Sequence, residues 1–389
     1  MSHVRLQWVW CLIAVVMFSG CTGTRPTQFA SANVVASLSG QADDAFARAY
    51  EPIDFVFPRD HGAHPAYRTE WWYYTGNLAD AAGNAYGYQL TFFRSALTPT
   101  QPERASALAT NQIYMAHFAL TDGSANRHES FERFSRGAGG LAGATGEPTY
   151  AVWLEDWSVR TLESGVTQLH ASAEGEDGPI ALALTLRETQ APVLHGNQGL
   201  SQKGPEAGNA SYYYSLVQIQ STGTITRAGE ARAVTGVSWM DHEFGTSALS
   251  ANAVGWDWFS IQLNDGAALM FAQVRTDDGG ILPEFEGTYV AADGTRQKIT
   301  ASDLTLTALD QWTSPRTGFT YPSGWQIELP AFDIRLTVEP LIDAQEMDVS
   351  FVYWEGAVTV DGTIAGEAAS GVGYVELTGY GQQAGQYQR

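Results

Sequence analysis

Along most of this chain apolar and polar residues alternate with a period of two, the signature of β-strands with one buried face. Tyr86-Gly87-Tyr88-Gln89-Leu90-Thr91-Phe92-Phe93-Arg94 shows it, as do residues 112–121, 149–160, 180–187 and 212–220. Turn signals such as Ala82-Gly83-Asn84, Asn264-Asp265-Gly266 and Asp293-Gly294 separate the runs. After the first residues no amphipathic pattern longer than about ten residues asks for a helix. The pattern also runs twice. Glu70-Trp71-Trp72-Tyr73-Tyr74 opens one half and Gly255-Trp256-Asp257-Trp258-Phe259 the other, each followed by a hairpin. The expectation is an all-β protein of two antiparallel barrels side by side, whose closure removes exposed strand edges.

The exception to alternation is the start. Arg5 precedes an apolar run from Trp8 to Phe18, of signal-peptide length and too short to span a bilayer. Phe18-Ser19-Gly20-Cys21 resembles the lipobox of bacterial lipoproteins, which implies lipidation of Cys21, and Thr22 in place of Asp implies sorting to the outer membrane. The expected organisation is a signal at 1–20, a Ser/Thr/Ala-rich tether at 21–50, a first barrel at 51–230 and a second at 231–389. The localisation expected is the periplasmic face of the outer membrane, with the lipid anchor as membrane contact.

Charge and cysteine usage narrow the function. With 21 basic and 42 acidic residues the net charge is −21, a field that repels phosphate backbones and excludes nucleic acid as a partner. The only cysteines are Cys11, inside the signal, and Cys21, so the exported chain has no disulfide. Nothing in the sequence names a protein partner.

Two stretches carry candidate chemistry. Residues 236–263 set Asp241, His242 and Glu243 among Trp239, Trp256 and Trp258, and residues 60–78 place Asp60, His61 and His64 just before four aromatics. On a strand Asp241 and Glu243 share one face, with His242 on the other. Three readings remain open for them: hydrogen-bonding at the barrel junction, acid catalysis, or metal binding. A zinc site would need His61, His64, His117 and Asp241 to converge, without HExxH-type spacing to support it. No G-x-S-x-G elbow is present. Asp257 points away from Trp256 and Trp258.

The segment His61-Gly62 through Tyr67-Arg68-Thr69-Glu70-Trp71-Trp72-Tyr73-Tyr74-Thr75-Gly76-Asn77-Leu78 resembles the N-terminal signature of the AttH-like secreted hydrolases, relatives of the carotenoid 1,2-hydratases (CrtC). Trp239-Met240-Asp241-His242-Glu243, Tyr353-Trp354-Glu355-Gly356-Ala357 and Gly373-Tyr374-Val375-Glu376-Leu377 resemble its later signatures. The resemblance implies a double lipocalin-like (calycin) fold and two candidate functions. One is binding of a hydrophobic, isoprenoid- or lipid-like molecule. The other is cofactor-free hydration, with Asp241 as general acid, Trp239 where the hydratases carry a tyrosine, and Tyr214 as an aromatic wall. Candidate ligand contacts are His64, Glu70, Trp72, His117, His242, Glu243, Trp256 and Trp258. No cofactor or metal is expected.

Overall fold

The computed structural model describes residues 45–100, 106, 108–246, 249–250, 252–284 and 286–381. The expected signal, Cys21 and most of the tether lie outside the described residues. The tether was expected to run to residue 50, but Phe46 and Ala49 are already buried against the globule.

The first sheet contains β1 (Thr69–Asp80), β2 (Ala85–Ala96), β3 (Gln112–Asp122), β4 (Arg127–Arg136), β5 (Ala142–Thr145), β6 (Ala151–Leu154) and β7 (Trp157–Glu163). It continues with β8 (Val166–Gly175), β9 (Gly178–Glu188), β10 (Val193–Leu194), β11 (Leu200–Gln202), β12 (Ala210–Arg227) and β13 (Glu230–Gly245). The second comprises β14 (Ala253–Leu263), β15 (Ala268–Thr276), β16 (Gly287–Val290), β17 (Arg296–Ile299) and β18 (Thr305–Thr313). Its remaining strands are β19 (Thr320–Leu329), β20 (Ile334–Pro340), β21 (Glu346–Met347), β22 (Tyr353–Ile364) and β23 (Glu367–Leu377).

In each half the first strand pairs antiparallel with the last, β1 with β13 and β14 with β23, so each sheet curls into a near-closed barrel. The two passes expected from the pattern are therefore two barrels of like connectivity. The expected division at 230/231 is displaced. β13 continues the first sheet to Gly245, because it pairs with β12 on one side and β1 on the other.

Away from the seam β9 alternates strictly. On β9, Ile180, Leu182, Leu184 and Leu186 point into the first barrel. At the seam alternation disappears: β1, β13 and β14 are buried on both faces. One face fills a barrel and the other meets the neighbouring barrel, which accounts for the dense tryptophan and tyrosine there. Trp72, Tyr88, Phe92 and Trp157 fill the first interior, and Phe259, Phe271, Trp325 and Trp354 the second. Tyr73, Tyr213, Trp239, Trp258 and Tyr374 form a separate cluster between the barrels. Approach is close enough that a Cβ on Gly87 of β2 would lie 2.5 Å from that of Ala357 on β22.

Polar contacts fix the docking. Gln262 Nε2 donates to the Val217 carbonyl at 2.8 Å and the Ser238 carbonyl at 2.9 Å, and Asn77 Nδ2 donates to the Gly373 carbonyl at 2.9 Å. Each carbonyl would otherwise be buried with one partner fewer, which costs about 1–3 kcal/mol. Gln262→Ala should therefore lower the unfolding free energy by about 2–4 kcal/mol in urea titrations, whereas truncation of the exposed Asn264 should change it little.

Candidate functional site

Between the barrels lies a cavity of about 340 Å³. The first barrel contributes Trp71, Tyr73, Phe93, Met115 and Tyr213; across from them stand Trp256, Trp258 and Tyr353 of the second. A space bordered by His61, Tyr74 and Tyr150 inside the first barrel amounts to about 10 Å³, no more than a single water. The hollow thus belongs to neither barrel, because large aromatic side chains fill both interiors.

Asp241 faces this cavity from β13 and is 4% exposed. Its Oδ1 accepts from Trp239 Nε1 at 2.6 Å and from the Ser215 hydroxyl; its Oδ2 accepts from the Tyr213 hydroxyl at 2.6 Å. Burial pushes the Asp241 carboxyl up to about 7, against the pull of the Ser215, Tyr213 and Trp239 donors and with a further push from the Glu243 charge. Three donors aimed at one carboxyl favour the carboxylate, so it is burial that keeps the acid neutral. An oxygen with two donors behaves as a carbonyl, which leaves the proton on Oδ2 beside Tyr213. Tyr213 is itself held by Trp258 Nε1 at 3.2 Å, across the seam.

Strand parity explains which candidates reach the cavity. Trp71 and Tyr73 line it, whereas Trp72 faces the first interior, fully buried, with its Nε1 on the His61 carbonyl. Likewise Tyr213 and Ser211 line it, but Tyr214 points inward, its hydroxyl 2.6 Å from His61 Nδ1 and 2.9 Å from His242 Nδ1. Tyr214 and Trp72 are thus not its walls; their neighbours are. Trp239 stands behind Asp241 as its hydrogen-bond donor and does not line the space. His117, Glu243, Trp256 and Trp258 do line it. Glu243 is paired with Lys203 Nζ at 2.8 Å and accepts from Ser211. Burial lowers His117 to about 3, so it is neutral, with Nδ1 2.8 Å from the Tyr353 hydroxyl. Asp257 does face away, toward Arg275 and Tyr380.

His64 and His242 belong to a different arrangement, at one end of the first barrel. Both donate to Glu70 Oε1, at 2.8 and 2.9 Å, and Arg94 Nε donates to Oε2 at 2.7 Å. Burial opposes charge on Glu70, but the hydrogen bonds from His242 and His64 and the Arg94 guanidinium outweigh it and hold the carboxyl well below its usual range. Glu70 and Arg94 also border the cavity. Among the described residues, His64, Glu70 and His242 are the one group whose donor atoms all lie close enough to hold a metal. Those atoms are already used within the network, and the Arg94 cation sits on the same carboxylate, so the donor set suits a hydrogen-bonded knot better than a cation site.

Several contributors escaped the sequence reading. Ser215 and His195 were not marked, yet His195 Nε2 donates to Ser215 at 2.6 Å and Ser215 in turn to Asp241. In this order the serine orients the acid; it is fully buried and does not line the cavity. Tyr213 and Trp71 were one residue from chosen positions, and parity along each strand would have found them. Glu376, inside a motif that was noticed, carried no sign that it lines the cavity.

Because the Glu70 carboxyl titrates below its ordinary 4.5 in the folded protein, its stabilisation is complete above that pH and is lost as pH falls through the folded value. Glu70→Gln leaves Arg94 buried without its anion and should cost about 3–5 kcal/mol at neutral pH. Thermal melts across the acid range should show the variant losing less stability on acidification than the wild type.

Comparison with known proteins agrees with this architecture. A protein from Nitrosomonas europaea assigned to AttH has a crystal structure that matches with a TM-score of 0.76 and 36% identity, over 86% of this chain and 100% of that one. The crystal structure of kievitone hydratase from Nectria haematococca matches with a TM-score of 0.64 over 86% of this chain and 98% of that one, at 14% identity, a likeness of fold. In sequence, kievitone hydratase of Fusarium solani subsp. phaseoli is 23% identical over 255 residues, 59% of this chain and 65% of that protein, slightly less than two thirds of its length. The AttH-like family profile matches residues 48–380, and with nearly the whole double barrel inside that match, the chain belongs to the AttH-like family.

Proposed function

We propose that this protein is a cofactor-free hydratase that adds water across an isoprenoid-type C=C bond of an apolar substrate bound between the barrels. The observation that carries this reading is Asp241: a carboxyl that keeps its proton near neutral pH, aimed into an aromatic cavity. A simple carrier would favour the same apolar walls but has no use for a desolvated acid. The kinship with proteins named as hydratases supports the same reaction class.

In this mechanism the alkene lies among Trp71, Trp256 and Trp258, and the Asp241 Oδ2 proton passes to the less substituted carbon. The π pair forms the new C–H bond and leaves a tertiary carbocation. Aromatic faces stabilise that cation, and the closed, apolar setting strengthens its attraction to the new Asp241 carboxylate. Water then captures the cation and releases a proton, giving a tertiary alcohol. Trp239, Tyr213 and Ser215 hold the carboxyl in position through this cycle, and the neutral His195 fixes Ser215 in the donating orientation.

The sequence around Cys21 supports a further part of the reading: an anchored lipoprotein on the periplasmic face of the outer membrane, within reach of lipophilic compounds. Mass spectrometry of the exported protein would read a diacylglyceryl modification on Cys21 directly.

Kievitone, named in the relatives, and geraniol, a plain isoprenoid alkene, are the first compounds to try, with the gain of one water read by mass spectrometry. Asp241→Asn should lower kcat by about 10²–10⁴-fold, the usual contribution of a general acid, without loss of alkene binding. Since the acid form is required, the wild-type rate should fall as pH rises through about 7. Undiminished turnover by Asp241→Asn would remove the proposal.

A further inference from the structure

Besides Asp241 and the two carboxyls held by cations, Glu70 and Glu243, the cavity has a fourth carboxyl group that the mechanism above leaves unused. Glu376, on β23, lines it from the second barrel, on the opposite wall from Asp241. In the β22–β23 ladder Glu376 is directly paired with Glu355, which places their side chains on one face with Cβ atoms about 5 Å apart. Glu355 is fully buried and Glu376 partly so, and among the described residues neither has an ion-pair partner, unlike Glu70 with Arg94 and Glu243 with Lys203.

Their hydrogen bonds come from neutral groups. The Tyr73 hydroxyl donates to Glu355 Oε1 at 2.6 Å, and Trp256 Nε1 donates to Glu376 Oε1. Glu355 Oε2 is buried with no donor directed at it. Two carboxylates so close in a dry setting cannot both carry charge. One proton between them removes the repulsion and gives Glu355 Oε2 its missing partner. Burial, then the neighbouring Glu376 charge, raise the Glu355 carboxyl well above its usual range; Glu376 is also raised by burial, though the closeness of Glu355 and the Trp256 donor draw it back.

We infer that Glu376, sharing a single proton with Glu355, is a second catalytic residue of this site and takes the proton from the water that attacks the substrate cation. The inference rests on the hydratase reading and deepens it: acid and base come from opposite barrels. Asp241 gives its proton to carbon as the π pair forms the C–H bond. The water oxygen bonds to the cationic carbon, and one of its O–H pairs stays on oxygen as the proton moves to the Glu355–Glu376 pair. The pair then holds two protons and Asp241 none. Transfer of one proton back through water entering after product release restores the resting state. Glu355 acts as a positioning residue that is itself fixed by Tyr73.

Two measurements test this. Infrared difference spectra at neutral pH, wild type minus Glu376→Gln, should contain the carbonyl band of a buried protonated carboxyl, because Glu355 left alone beside an amide donor no longer holds the proton. In hydration of kievitone or geraniol, Glu376→Gln should lower kcat by about 100-fold or more, while geraniol still quenches the cavity tryptophans with unchanged affinity, which shows an intact fold. Glu355→Gln replaces an acidic neighbour by a hydrogen-bond donor, so the acidic limb of the rate–pH profile should move to lower pH. No lost infrared band, or full turnover by Glu376→Gln in a protein where Asp241→Asn is inactive, overturns the inference and leaves the hydratase reading standing. Should the wild type hydrate neither compound, the hydratase reading falls and the catalytic role of Glu376 with it, and the infrared spectra alone then decide the shared proton.

Discussion

The Tyr73 hydroxyl on Glu355 is where one barrel grips the other, and the geometry of the site follows from it. Tyr73 stands in a row with Asp241 and Ser215 across β1, β13 and β12. Glu355 stands in a row with Glu376 and Trp258 across β22, β23 and β14. Docking the two rows face to face excludes water from every group in them. A hydroxyl buried there must find an acceptor, and a carboxyl must find donors or keep its proton. The seam therefore stores protons on acids at neutral pH, which neither barrel could do with its outer face in water.

Three buried carboxyls show how the same residue type takes different states. Glu70 is surrounded by His64, His242 and Arg94 and stays ionised; it knots the end of the first barrel. Asp241 has three neutral donors and a nearby acid, and burial wins. Glu355 has one tyrosine and a second carboxyl, and burial raises it well above its usual range. Among the described residues Glu70 alone of the three has a guanidinium partner, Arg94, beside its histidine donors. With 42 acids against 21 bases overall, cations are scarce, and one of the few available is spent on the knot.

Much of this was legible in the chain. The two-pass β pattern, the kinship motifs and Asp241 as the acid of interest all came from residues read in order. Tyr214 and Trp72 were mis-set by one position, because on seam strands both faces are apolar and alternation no longer tells inside from outside. Tyr212-Tyr213-Tyr214 offers three equal candidates to a reader of sequence; only the pairing of Tyr213 with Glu243, and of Ser215 with Asp241, sorts them.

Sequence by itself determined what is local or periodic: strands from alternation, and hairpins from Asn, Asp and Gly. Only the tertiary structure decided that the cavity lies between the barrels and that Glu376 comes to face the Asp241 side. Those facts depend on contacts between residues more than a hundred positions apart, such as Tyr73 with Glu355. No periodicity encodes which outer faces will meet, since that choice is made by the fit of two finished surfaces.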